Sequence, residues 1–273
     1  MEIDARGLTF DVETGGPDEG PAVLLLHGFP QHSGEWDLVT PGLHAAGLRT
    51  IAVDQRGYSP GARPAEVDAY KISEVVADAL AILDALAVDR AHVVGHDWGS
   101  ATAWTIAGLH PERVLSLTAI SVPHPVAFGQ ARFGDDDQRR RSEYMDFFRL
   151  PGKAEDVLLE DEGQRIRAMF LGCPAERVDR YVLPLLERAR LTGGLNWYRA
   201  MSRGDFDRLG AVDVPTTFLW SDGDWAIGRT SAELCAKFVR GDYRFVELAG
   251  VSHWIPDEAP DAVTREILAR ARL

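Results

Sequence analysis

The stretch that most restricts how this chain can fold is Val93-Val94-Gly95-His96-Asp97-Trp98-Gly99-Ser100, an apolar run that ends in a Gly-x-Asp-x-Gly frame and passes into an Ala-rich segment. Small residues on both sides of an acid fit a strand that reverses sharply into a helix, because the central residue is then strained and its neighbours' backbones pass close together. Asp97 would stand at the end of a sheet. A helix starting just behind it offers unpaired N–H groups and a positive dipole end, which favour a carboxylate and any oxyanion formed beside it. The plainer alternative is an acid that only caps a helix start, and the rest of the chain has to separate the two.

Around this stretch, continuous apolar runs alternate with segments of helical periodicity. Residues 22–26 and 48–54 read as strands buried on both faces, and 91–94, 114–120, 216–220 and 243–248 continue the strand pattern. Residues 36–46, 72–86, 101–109, 231–238 and 259–270 read as helices. Such alternation predicts an α/β fold with a mostly parallel sheet flanked by helices, whose ligand sites lie at the carboxyl ends of the strands. Between residues 123 and 208 the pattern changes: Pro, Asp and Arg become frequent and amphipathic segments at 155–169 and 178–189 replace the β-branched runs. This predicts a core of residues 1–122 and 209–273 with a helical cap, 123–208, inserted over its mouth.

Composition narrows the partners. A length of 273 residues is ample for a full core, and a formal net charge of −13 argues against nucleic acid, whose phosphates require a basic surface. A neutral small molecule is the expected ligand. Cys173 and Cys235 stand in unlike contexts without metal-ligand spacing, so neither a disulfide framework nor a metal site is expected. The N-terminal Met1-Glu2-Ile3-Asp4 is acidic, and no apolar run is long enough to span a bilayer, so a cytoplasmic protein is expected. The oligomeric state is open.

With aspartate where serine more often stands, the Asp97 frame resembles the nucleophile elbow of the α/β-hydrolase superfamily, in the branch that contains epoxide hydrolases and haloalkane dehalogenases. The resemblance runs through most of the chain. His27-Gly28-Phe29-Pro30, at the end of a strand, is similar to the family's oxyanion-hole loop, whose proline is commonly cis. It implies two backbone donors, the N–H groups of Phe29 and Trp98. In Gly250-Val251-Ser252-His253-Trp254 the resemblance implies that His253 is the general base, whereas His44, His92 and His110 read as exposed helix or turn positions and His96 as structural. Ser221-Asp222-Gly223-Asp224 offers two acids to orient His253; the family register favours Asp224, with Asp222 accepting turn hydrogen bonds. The order Asp97, Asp224, His253 is the nucleophile, acid, base order of the fold.

A carboxylate can displace a leaving group at a saturated carbon because it is already ionised at neutral pH, and the resulting ester needs a base only for its hydrolysis. No metal or organic cofactor is called for. Leu195-Asn196-Trp197-Tyr198-Arg199-Ala200 resembles the epoxide hydrolase cap segment whose tyrosine activates the ring oxygen, which makes Tyr198 the candidate acid. A second cap tyrosine is usual in that group. Here Tyr144-Met145-Asp146-Phe147-Phe148 resembles the region, but the best register puts Phe147 at the expected place, and Tyr144 can substitute only if the helix is turned differently. Core packing is the plain alternative for these aromatics.

Haloalkane dehalogenases would share Asp97, Trp98 and the base, but commonly place asparagine after His-Gly, where this chain has Phe29. Fluoroacetate-type dehalogenases grip the substrate carboxylate with arginines near the elbow, where this chain has Trp98 and Ala101. A binding protein that had kept the fold without turnover would be expected to lack a triad member, and none is missing. The resemblance therefore implies opening of a neutral, mostly apolar epoxide to a vicinal diol, with a haloalkane dehalogenase as the alternative.

Overall fold

The computed structural model describes residues 1–271. Its centre is an eight-stranded sheet in the order β1-β2-β4-β3-β5-β6-β7-β8, formed by Glu2–Ala5 (β1), Leu8–Gly15 (β2), Ala22–Leu26 (β3), Arg49–Val53 (β4), Ala91–His96 (β5), Val114–Ile120 (β6), Thr216–Ser221 (β7) and Tyr243–Leu248 (β8). All pairs from β4 to β8 are parallel, and only β1 and β2 run antiparallel to their neighbours. The fold expected from the alternation of runs and periods is the one observed.

Burial on both faces accounts for the apolar runs. Along β3, Leu24 and Leu26 join a cluster with Val93 and Trp104 on one face, while Val23 and Leu25 join Trp36 and Ile267 on the other. Thr40–Ala45 (α1), Ile72–Ala85 (α2) and Trp98–Leu109 (α3) precede the insertion. The inserted helices are Pro125–Gly134 (α4), Asp136–Arg141 (α5), Tyr144–Phe148 (α6), Lys153–Met169 (α7), Ala175–Leu185 (α8) and Arg188–Ala200 (α9). Arg229–Leu234 (α10), Ile255–Glu258 (α11) and Pro260–Ala271 (α12) complete the chain.

Two elements differ from the sequence reading. The β1–β2 hairpin was not expected: its strands carry charged residues on one face, and only Ile3, Ala5, Phe10 and Val12 turn inward. Its two-residue turn, Arg6-Gly7, has positive φ at both positions (53° and 76°), the geometry that matches strand twist in a short hairpin. The amphipathic segment at 155–169 is broken, with non-helical angles at Glu160, Asp161, Glu162 and Gly163 inside α7. Three adjacent acids followed by glycine give that turn little helical preference.

The insertion contributes a third apolar cluster, in which Phe148, Leu158, Leu185 and Trp197 pack with Phe29, Tyr70 and Trp254 from the sheet-bearing part. It therefore lies over the carboxyl ends of the strands. Its first helix differs from the rest, since α4 packs against α10 and the turn Cys235–Phe238, and the His124 ring just before α4 stacks on Phe238 at 4.8 Å.

Candidate active site

Asp97 links β5 to α3 with φ 51° and ψ −118°, a conformation L-residues rarely adopt. The flanking glycines are required by space. A Cβ on Gly95 would come within 2.1 Å of the Gly99 carbonyl oxygen, and one on Gly99 within 1.9 Å of the Leu26 carbonyl oxygen. The strained turn leaves the Asp97 carboxylate at the floor of a cleft, with Gly28 beside it: a Cβ there would lie 2.5 Å from Asp97 Oδ1.

That oxygen accepts a hydrogen bond from the Phe29 N–H at 2.9 Å. The Phe29–Pro30 peptide is cis. Behind the turn, His27 Nδ1 is 3.0 Å from the Gly28 carbonyl oxygen and Nε2 accepts from the Gln55 N–H at 3.1 Å, which places the ring proton on Nδ1. Burial lowers the His27 pKa to about 4, so the ring that shapes this loop is neutral. The Trp98 N–H lies in the first turn of α3, where a helix has no internal acceptor to offer it.

His253, in the loop between β8 and α11, faces both acids. Its Nε2 is 3.5 Å from Asp97 Oδ2, and its Nδ1 is 2.9 and 3.0 Å from the two oxygens of Asp224. Burial alone would lower the imidazole pKa, but the carboxylate of Asp224, with Asp97 adding to it, outweighs that cost and raises it to about 10. The resting ring is an imidazolium held between two carboxylates. Asp222 does not cap its own turn as expected: it accepts from the Gly250 N–H at 2.7 Å, in the loop that carries His253.

The loop carrying Asp224 is fixed from two directions. Asp224 Oδ1 accepts from the N–H groups of Ala226 (2.8 Å) and Ile227 (3.0 Å). Gln138, fully buried on α5, donates to the Ala226 carbonyl at 2.8 Å and accepts from the Gly228 N–H at 2.9 Å, while Arg141 donates to the Asp224 carbonyl at 2.6 Å. The inserted helices thus grip the acid of the core. Neither residue was legible as a site residue, because nothing local distinguishes them from the other polar residues of Asp136–Arg141.

The His253 backbone is held as firmly. Its carbonyl accepts from His96 Nε2 (2.9 Å) and from Ser121 Oγ (2.9 Å), the latter residue at φ 63° at the end of β6. With His96 Nε2 donating, its Nδ1 must accept, and Glu35 Oε2 lies 3.3 Å away. Glu35 is fully buried; burial, with Asp257 and Asp97 adding to it, raises its pKa well above the carboxylate range, while burial takes His96 down to about 4. The pair is a neutral acid donating to a neutral imidazole. His96 has the structural role expected of it, whereas the reading of His92 as an exposed helix or turn position is corrected: it lies inside the strand already expected at 91–94, buried, with Nδ1 2.8 Å from Ser116 Oγ of the neighbouring strand β6.

Two tyrosines face Asp97 from the insertion. Tyr198, on α9, meets the Trp98 ring edge-on at 5.1 Å, and Tyr144, at the start of α6, lies 6.2 Å from Tyr198. Both line the cleft with Asp97, Trp98 and Ala101. Burial, with Tyr144 and Asp97 adding to it, holds the Tyr198 hydroxyl well above its usual pKa; burial and then Asp97 and Asp224 do the same for Tyr144. The register that put Phe147 in this place is corrected: Tyr144 and Phe148 share the inward face of α6 with rings 5.3 Å apart, and Phe147 lies off it. In a five-residue helix, neighbours rather than periodicity set the rotation.

Asp97, Trp98, Tyr144 and Tyr198 line one cleft, the Phe29 N–H and His253 reach the Asp97 carboxylate, and Asp224 lies behind His253. Among the described residues, no group of three or more His, Cys, Asp or Glu side chains is arranged to hold a metal ion, and no helix is long and apolar enough to cross a membrane. Cys173 and Cys235 are free thiols.

Comparison with known proteins identifies the family. The α/β hydrolase fold family model matches residues 21–260, and the chain belongs to that family. It is 35% identical to epoxide hydrolase B of Mycobacterium tuberculosis over 97% of this chain and 96% of that protein. Epoxide hydrolase A of the same organism is 31% identical over 97% and 95%. Among solved structures, epoxide hydrolase A from Mycobacterium thermoresistibile superposes with a TM-score of 0.89 at 29% identity, over 100% of this chain and 97% of that one. The chain is an enzyme, and epoxide hydrolases are the members of the family that it resembles.

Proposed function

We propose that this enzyme opens a neutral, mostly apolar epoxide to a vicinal diol through an ester on Asp97. The reading is carried by the convergence on one carboxylate of a pinned oxygen, a histidine and two phenols. Asp97 Oδ1 is fixed by the Phe29 N–H, which leaves Oδ2 to attack a ring carbon. The carbon–oxygen bond of the ring breaks as the ester bond forms, and the departing oxygen takes a proton from Tyr198 or Tyr144. A phenol held un-ionised by burial suits this, because it stays a donor until an alkoxide develops beside it.

Proton balance then explains a histidine that rests protonated. The phenolate recovers its proton from the His253 imidazolium, directly or through water. Esterification has meanwhile removed the negative charge of Asp97, which lowers the affinity of His253 for a proton. The neutral ring can now take a proton from water as that water attacks the Asp97 carbonyl carbon. The oxyanion forms on Oδ1, where the Phe29 N–H and the Trp98 N–H stabilise it. Collapse expels the diol oxygen, which takes the proton of the newly formed carboxyl group. Asp97 returns as carboxylate and His253 as imidazolium.

The helices from α5 to α9 act as the cap of this proposal and α4 as a ledge on the core, so that the cap expected from residue 123 to 208 begins functionally after α4. The competing reading, a haloalkane dehalogenase, would use the same Asp97 and His253. Purified enzyme incubated with styrene oxide and, separately, ethylene dibromide, with diol and bromide both quantified, separates them. Diol without bromide is expected; bromide without diol would reverse the assignment, and neither product from a folded enzyme would favour binding without turnover.

A further inference from the structure

Resting on the epoxide reading, we infer that the site takes epoxides substituted on one side of the ring only, with an aryl or alkyl group, and rejects trans-disubstituted ones. The two sides of the Asp97 carboxylate are built differently. On one side stands a closed aromatic wall. The Phe29 ring is almost completely buried, edge-on to Phe148 at 5.3 Å and to Tyr198 at 5.5 Å, and Phe148 and Tyr198 are 5.0 Å apart. The wall is sealed from behind by Gly194 of α9, where a Cβ would lie 2.8 Å from the Phe29 ring. Trp197, anchored through its indole N–H to the Arg56 carbonyl at 2.9 Å, closes the remaining edge.

On the other side the cleft opens along an apolar lining. It runs from Asp97 past Ala101 and Val122 to Phe128, Met201 and Phe206, and among the described residues of its lining Asp97 alone is charged. Ala101 follows Asp97 by one helical turn, so its methyl group forms the floor where a larger side chain would fill the space. An epoxide ring held between Asp97 and the tyrosines therefore has room for a group on one flank. In this inference a trans substituent on the second carbon meets Phe29 and Phe148, whose rings pack against Tyr198.

The test is a minimal pair, styrene oxide against trans-β-methylstyrene oxide, which differ by one methyl group on the second carbon. A methyl forced against a closed wall is expected to lower kcat/KM by roughly a hundredfold. Phe148→Ala opens the wall and should narrow that ratio by about tenfold. Ala101→Phe acts from the other flank, lowering kcat/KM for styrene oxide about tenfold more than for propylene oxide. Wild-type enzyme that turns over both members of the pair within about threefold overturns the inference alone. Failure to turn over any epoxide overturns it together with the reading on which it rests. Should either variant not fold, the wild-type ratio still decides.

Discussion

The strand-end half of the site and the half supplied by the insertion reach the same carboxylate by different means. Asp97, the Phe29 N–H and the Trp98 N–H are fixed by backbone: a strained residue, glycines with no space for a Cβ, and the start of a helix. Tyr144 and Tyr198 are fixed by side chains. Arg149 holds the carbonyls of Tyr198 (2.9 Å) and Met201 (3.0 Å), and Glu155 binds Arg199 through both oxygens at 2.8 Å. Gln138 and Arg141 tie the insertion to the Asp224 loop, and Arg177 of α8 reaches Asp257, four residues after His253, at 2.6 Å. Backbone-held geometry fails by unfolding, whereas side-chain-held geometry can fail one step of the reaction at a time.

Substitutions should separate the two. The largest effect is expected at Gly99→Val, where the added atoms meet the Leu26 carbonyl; a loss of about 4 kcal/mol or more, read by denaturant unfolding, would leave little folded enzyme. Asp97→Asn keeps the turn and removes the nucleophile, so turnover should fall by at least roughly 10⁴-fold with a nearly unchanged unfolding midpoint. On the insertion side, Tyr198→Phe and Tyr144→Phe should each slow ester formation by about a hundredfold, measured as the single-turnover rate of epoxide loss, while later ester hydrolysis is much less affected. If one phenol could be removed without loss, the other would be the sole acid and the pair would not be equivalent.

A smaller and more selective effect is expected at Gln138→Leu. It unpins the turn that presents Asp224, at a stability cost of about 1 to 3 kcal/mol, and should slow ester hydrolysis more than ester formation. Equal slowing of both steps would mean that Gln138 only supports the fold.

The pH dependence carries a defined sign. The His253 pKa is raised on folding, so the imidazolium contributes stability that is fully present below the unfolded value of 6.5 and is lost as pH rises through about 10. The difference in unfolding free energy between wild type and His253→Gln should therefore shrink across that window. In Asp97→Asn the upper edge of the window should move down, because one of the two carboxylates is gone. A difference that grew with pH would contradict the imidazolium assignment.

How much of this was readable beforehand follows the same division. Gly95, Asp97 and Gly99 fall at alternate positions within five residues, and a steric demand confined to five residues leaves its mark in those five. His253 and Asp224 are as readable because each follows a strand-forming stretch in the chain order expected of the acid and the base. The β1–β2 hairpin escaped because only Ile3, Ala5, Phe10 and Val12 face inward, too few apolar positions to stand out from an exposed edge. Gln138, Glu35 and Ser121 escaped for another reason: their partners are 88, 61 and 132 positions away, and no local pattern encodes them. Phe147 was the expected aromatic where Tyr144 stands, since the short helix α6 takes its rotation from packing against Tyr198 and Trp225.

The central claim, that a carboxylate forms a covalent ester which a separate histidine releases, is tested most directly with His253→Gln. Incubation with styrene oxide followed by mass analysis of the peptide containing Asp97 should show an added mass of one substrate that persists after free substrate is removed, while epoxide consumption stops after one equivalent and no diol is released. Continued diol release with no adduct on that peptide, from a variant that remains folded, would contradict the mechanism.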